Sequence, residues 1–172
     1  MSENNDYSYL LDILKLAESG EEKDEQEKLN IKYEGEFFTK NSVSKVNLSL
    51  AYILLKDSSY NTTFQIKETS GINDNEHKLI TENLNKVMDN IDFHLSHNSS
   101  PNFQLPEKGH WVVMQNWDFG SLPASWSEAF SDYVDQIWVS SKYNKSCLVN
   151  SSIPDEKVKV INSGLDSLYF NP

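Results

Sequence analysis

The sequence predicts an α/β domain in which a mostly parallel sheet is flanked by helices. Two observations carry that prediction. Short β-rich segments alternate with stretches of helical period over most of the chain, and several helices carry their own start signals. Ahead of the domain, Tyr7, Leu10, Leu11, Leu14 and Ala17 recur at helical spacing, so a short amphipathic helix is expected over 7–19. The tract GEEKDEQEK that follows contains no apolar side chain in nine residues, which fits a solvated linker or a frayed helix end. Residues 1–28 are therefore read as an amino-terminal helix and acidic linker, and residues 29–172 as the domain.

Within the domain the expected order is strand 30–33, helix 42–55, strand 63–68, helix 75–90, strand 93–96 and strand 110–115. Helix 123–133, strand 136–139, helix 141–150 and strand 158–161 complete it. In the first of these helices Val43, Val46, Leu50 and Leu54 make one apolar stripe, and Ser42 is placed to cap its start. Pro123 suits the first turn of its helix, because its fixed φ is already helical and its missing donor would be unpaired there anyway. The order β-α-β-α-β-β-α-β-α-β fits a Rossmann-like domain with right-handed crossovers, whose ligands sit at the carboxyl ends of the strands.

Composition bounds the function. At 172 residues there is room for one ordinary domain of about 100–150 residues and an appendage. Lys+Arg of 15, all of them Lys, against Asp+Glu of 26 gives a net charge of -11, which argues against nucleic acid and anionic membrane as partners. The single Cys147 excludes an internal disulfide, and the amino terminus lacks the positive start and small-residue cleavage site of a signal peptide. No apolar run approaches the roughly 18 residues of a membrane span. A cytoplasmic protein without a transmembrane segment is expected.

Two loops are candidates for chemistry. Residues 33–42, YEGEFFTKNS, link the first strand to the first helix, whose free N–H groups favour an anion. Gly35 is a single glycine, so a plain turn and a phosphate loop both remain open, and Phe37 and Phe38 are ambiguous, since paired aromatics in a loop more often plug a core edge than stack on a sugar. In the second loop, Asn116 to Gly120 should lie at the carboxyl end of a central strand, where binding groups concentrate. Asp118, beside Trp117 and Phe119, is either a turn cap or an acid, base or hydroxyl-binding carboxylate. Ser140 and Ser141 can cap the helix after them, or leave its N–H groups to a phosphate or sugar hydroxyl. Asp92, His94, His97 and His110 do not make a metal site, since His94 and His97, three apart on a strand and its exit, point to opposite faces. Cys147 reads as a small core residue.

The segments QNWDFGSLP at 115–123, DQIWVSSKY at 135–143, IPDEKVKVINSGLD at 153–166 and FNP at 170–172 occur in this order. Upstream lie EGEFF at 34–38, Asn47 and the stretch from Asp92 to Phe103. The ordered set resembles the amino-terminal domain of GT-B glycosyltransferases, in the large retaining group related to glycosyltransferase family four. The resemblance covers nearly all of residues 29–172. It departs from the family pattern at Glu36, where proline is common, at Ser96, where arginine is usual, at Ser99, near a usual aromatic, and at Ser163.

The resemblance implies the acceptor-side half of an enzyme that transfers a sugar from a nucleotide-sugar donor, with no cofactor. It assigns Gly35, Glu36 and Phe37 to a donor-facing loop, Asp118 with Trp117 to the reaction centre, and Asn102, Phe103 and Gln115 to the acceptor side. Gly120, Ser141 and Gly164 join the binding residues on the same ground. The implied partners are a nucleotide sugar, a sugar-bearing acceptor and a separately encoded donor domain, since the chain is expected to stop where a carboxy-terminal donor domain would begin and to be inactive alone. The alternatives are a non-catalytic interaction module or truncated gene product, and a small dinucleotide-binding oxidoreductase, which fits the sheet order but lacks the glycine fingerprint.

Overall fold

A computed structural model describes residues 28–67 and 77–164. The helix expected over 7–19, nearly all of the acidic tract and residues 165–172 of the resembled stretch lie outside the described residues. Strands β1 (Leu29–Gly35), β2 (Tyr60–Ile66), β3 (Phe93–His97), β4 (His110–Met114), β5 (Gln136–Val139) and β6 (Val158–Val160) form one sheet in the order β2-β1-β3-β4-β5-β6. Every neighbouring pair is parallel. Helices α1 (Ser42–Lys56), α2 (Lys78–Thr81), α3 (Ala124–Asp132) and α4 (Lys142–Val149) flank it. This is the Rossmann-like α/β arrangement the alternating pattern predicts.

Alternation along the strands sorts side chains onto two faces, and each face builds its own core. Ile31, Tyr33, Phe64, Leu95 and Val112 pack against Ala51 and Leu54 of α1, Ile80 of α2 and Phe37. Trp111, Val113, Ile137, Val139 and Val158 pack against Phe130 of α3 and Cys147 and Leu148 of α4. Phe37 stands edge-on to Tyr33 at 5.0 Å and to Phe64 at 5.5 Å, contacts that add about 0.5–1.5 kcal/mol each beyond burial.

Carboxylates fix the strand starts. Asp92, just ahead of β3, accepts from Asn30 N of β1 at 2.8 Å, and Asp135, just ahead of β5, accepts from Trp111 N of β4 at 2.7 Å. Lys157 closes the far end of α3 by donating to the carbonyls of Ser131 and Val134 at 2.6 and 2.9 Å. Ammonium groups suit such helix ends because the last carbonyls lack internal partners.

Three sequence expectations need correction. The helix over 75–90 is, within its described part, only the single turn Lys78–Thr81. Beyond it the chain turns onto the outer edge of β2: Phe64 N donates to Asn83 O at 3.0 Å and Asn85 N donates to Phe64 O at 2.8 Å. Asn85 adopts φ 50, a left-handed geometry that asparagine tolerates better than most residues. The unpaired backbone of the sheet edge outcompetes helix propagation there.

The α1 cap is Asn41, not Ser42: its side chain accepts from Ser44 N at 2.8 Å, while Ser42 is exposed on the first turn. The buried stripe of α1 is correspondingly Ser44, Asn47, Ala51 and Leu54, and Val46 is exposed. The apolar pattern misses this because the first half of the inward face is polar, for a reason that lies in the β1–α1 loop. Asn41→Ala is expected to cost about 1 kcal/mol in denaturant unfolding, and an unchanged midpoint would show that the cap contributes nothing. At α3, Pro123 is the cap residue and the helix starts one position later, at Ala124.

Candidate functional site at the carboxyl ends of the strands

The chain leaves β1 toward β2 on one side and later returns to β3 on the other, so the order reverses between β1 and β3. Crevices at such reversals hold the ligands of open parallel sheets. The residues gathered here come from the ends of β1, β3 and β4 and from the loops that follow them.

Asn47 of α1 is the hub of the β1–β3 side. Its Nδ2 donates to the carbonyls of Glu36 and His97 at 2.7 and 3.1 Å, and its Oδ1 accepts from the Tyr33 hydroxyl at 2.7 Å and from His97 Nδ1. The two carbonyls fix the amide nitrogen, so Oδ1 must receive a proton from the imidazole and His97 Nε2 is left as an acceptor. Ser44 likewise donates to Glu36 O at 3.1 Å. These bonds are why the start of α1 presents polar residues inward. Burial pushes the Tyr33 phenol up from its ordinary value.

Burial also lowers His97 to about 4, with the Glu36 charge opposing. The folded state therefore binds fewer protons than the unfolded state between pH 6.5 and about 4. Stability falls by about 3 kcal/mol as pH drops through that window. In His97→Asn, which keeps a donor toward Asn47 but does not titrate, urea midpoints are expected to vary less between pH 7 and 4. An equal slope in both proteins would exclude His97 as the source.

A second group is built on the opposite sheet face around Glu34, a buried carboxylate at the end of β1. It meets His94 Nε2 at 3.4 Å, Asn102 Nδ2 at 3.0 Å and Lys67 Nζ at 3.8 Å. Burial alone would raise this carboxyl, but hydrogen bonds from His94 and Asn102 with the charges of His94 and Lys67 outweigh it and hold it below its usual value. On the same face Trp111 Nε1 donates to Ser96 at 2.8 Å.

Glu36, by contrast, turns its carboxylate to the mouth of the β1–α1 loop. Ser99 N donates to it at 2.7 Å, Ser99 Oγ at 2.8 Å and Asn41 Nδ2 at 2.8 Å. Partial burial would raise it, and these bonds with the Lys67 charge hold it low. Three departures from the resembled pattern thus share one region: Glu36 and Ser99 bond to each other, and Ser96 receives the Trp111 indole.

The β4 side carries the second loop. Asp118 is exposed, and its Oδ1 accepts from Asn144 Nδ2 at 2.7 Å, which also donates to Trp117 O at 2.8 Å. Asn144 is itself buried on α4, behind the Ser141 cap that accepts from its N–H at 3.1 Å. Trp117 stacks edge-on with Phe119 and Trp126, each at 5.2 Å, and Phe119 is 83% exposed. Gly120 adopts φ 80, where a side chain would strain the backbone although nothing stands within 4 Å. Gln115 is buried one residue beyond β4.

The structure thus brings Gly35, Glu36, Asn102, Gln115, Trp117, Asp118 and Gly120 to the carboxyl ends of the strands or their loops. Phe37 is not at the surface of its loop: it is wholly buried in the α1-side core. Phe103 packs on Phe130 at 5.2 Å and on Trp126 at 6.3 Å. Ser141 is engaged as a helix cap, and Gly164 is exposed after β6. Of the four aromatics flanking the two loops, Phe37, Phe38, Trp117 and Phe119, only Phe119 is strongly exposed, so these four do not form a broad apolar wall. Asp92 and His110 lie at the amino ends of the strands, away from His97, and no group of three His, Cys, Asp or Glu among the described residues could hold a metal ion. Sequence reasoning gave no role to His97 at the crevice, to Asn98 or to Asn144.

Fold and crevice together define a Rossmann-like α/β domain with a polar, carboxylate-bearing crevice at its switch point. No family model, curated protein or solved structure matches the chain. No helix among the described residues is long and apolar enough to cross a membrane.

Proposed function

We propose that this domain forms the acceptor-side wall of a site that transfers a sugar from a nucleotide sugar, with Asp118 at the reaction centre. The observation that carries the reading is the placement of Asp118: an exposed carboxylate at the end of a central strand, beside the open ring of Phe119 and tethered to α4 through Asn144. Sugar sites combine aromatic faces with carboxylates, because ring C–H groups pack on the aromatic face while hydroxyls donate to the acid. In transfer the Asp118 carboxylate would oppose the positive charge that develops on the sugar ring, or take the proton of the attacking hydroxyl. The order of segments in the sequence supports the same assignment, and so does the carboxyl-end position of Gln115 and Asn102. The donor phosphates and base fall to a second, donor-binding domain, and no cofactor enters the chemistry. The buried thiol of Cys147 suits a reducing, cytoplasmic setting.

One feature favours a second reading. Glu36 places a negative charge at the mouth of the loop that the resemblance gives to the donor, where a phosphate would be repelled. On that reading the domain is a non-catalytic binding module. The two separate on a single comparison: transfer that depends on the Asp118 carboxylate, measured with a nucleotide-sugar-binding domain present, belongs to an enzyme.

A further inference from the structure

Of the four buried side-chain polar atoms without a hydrogen-bond partner among the described residues, Thr62 Oγ1 lies within β2 and three sit just past the carboxyl ends of β3 and β4. These three are the amide oxygens of Asn98 and Gln115 and the indole nitrogen of Trp117. Asn98 and Gln115 are 4% and 7% exposed. His97 pairs with Met114, so the next residue on each strand is Asn98 on one and Gln115 on the other. Neighbouring strands run about 4.8 Å apart, and continued alternation carries both amides to the face of Ser96 and Val113. Gln115 Nε2 is already committed to Asn116 O at 3.1 Å, which turns its oxygen, not its nitrogen, to the unpartnered side.

A buried polar atom without a partner costs about 1–3 kcal/mol, and three of the four follow the ends of two adjacent strands. Their chemistry is specific: two neutral acceptors and one neutral donor. Three carboxylates surround the same strand ends, Glu34 at the end of β1, Glu36 with Ser99 and Asp118 after β4, against the ammonium of Lys67 beside Glu34, so the balance is negative. Phosphates and carboxylates are therefore disfavoured, and a ligand that offers two hydroxyl donors and one oxygen acceptor is matched.

We propose that Asn98, Gln115 and Trp117 form a binding site for an uncharged polyhydroxyl ligand, two adjacent hydroxyls donating to the amide oxygens and one oxygen accepting from the indole. The proposal rests on the crevice described above as the acceptor side, and names the acceptor's charge class. It does not require that the domain catalyse transfer. Anionic acceptors such as sugar phosphates are excluded from this position.

The Trp117 indole N–H gives a direct readout. In the full chain labelled with 15N, its resonance is identified by its loss in Trp117→Phe. Titration with methyl α-glucoside, methyl α-mannoside and myo-inositol is expected to shift it with at least one of them, while inorganic phosphate and glucose 1-phosphate do not. Asn98→Leu, which keeps the volume but removes the acceptor, is expected to weaken that response at least fivefold with an unchanged or raised melting temperature. Stabilisation is the signature of an acceptor held unpaired for a ligand. The proposal is overturned if none of the neutral probes moves the indole resonance, if phosphate moves it more than they do, or if Asn98→Leu destabilises the fold as the loss of an ordered water partner would. Should the response hold while Asp118→Asn leaves transfer intact, the site stands and the catalytic reading falls.

Discussion

Asp118→Asn is expected to lower glycosyl transfer by about a hundredfold or more while leaving the melting temperature nearly unchanged. The substitution removes a charge and keeps the shape. Asn144 Nδ2 donates to Asp118 Oδ1 at 2.7 Å, and an amide oxygen at position 118 accepts that bond as well as a carboxylate does. The side chain is exposed, so no desolvation cost accompanies the change. What is lost is the negative field at the mouth of the crevice and the capacity to take a proton, and losing a positioned acid, base or electrostatic group costs on that scale. The measurement is initial-rate transfer by the domain supplied with a nucleotide-sugar-binding domain. Near-wild-type rates would return Asp118 to the role of a loop anchor.

Gly35→Ala is expected to destabilise the domain by about 3 kcal/mol or more, a large share of the 5–15 kcal/mol typical of a folded domain. The added carbon would lie 2.7 Å from Asn47 Nδ2 and 2.7 Å from the His97 carbonyl. Neither neighbour can give way. Asn47 is held by four hydrogen bonds, and the carbonyl belongs to β3 at the point where Gly35 and His97 are in register. Relief therefore means separating β1 from α1 and stranding buried amide groups. Gly120→Ala is the internal comparison: nothing lies within 4 Å and only its φ of 80 is at issue, so its cost should be about 1 kcal/mol. Equal unfolding midpoints for the two variants would remove the close-approach argument.

Strand and helix positions were legible because their signals are local: runs of β-branched residues, the Ser141 cap, Pro123 at a helix start. The second loop was legible for the same reason, since a strand that runs into polar and aromatic residues and then glycine marks its own carboxyl end. The polar groups at the crevice were not. Glu34 is expected in the loop after the first strand, and His94 and Ser96 carry no local signal of a partner, yet each is buried. Their partners are distant in sequence: Glu34 meets His94 and Asn102 at separations of 60 and 68 residues, and Glu36 meets Ser99 at 63. Asn47 was noticed for its place in the resembled pattern, but its four bonds depend on the register of β1 and β3, which periodicity does not encode. The 75–90 helix failed because its pattern has the right period while its asparagines find better partners on β2.

That crossing of residues 83–85 over β2 has a consequence for how copies of the chain meet. An outer strand normally offers its backbone as a template on which a foreign strand can be laid. Midway along β2 both the N–H and the carbonyl of Phe64 are already taken, by Asn83 and Asn85, and the chain bends away at once through the left-handed Asn85. An incoming strand would have to displace this segment before it could zip along β2. The same few asparagines that spoil a helix thus act as a guard against intermolecular sheet growth on that side of the molecule.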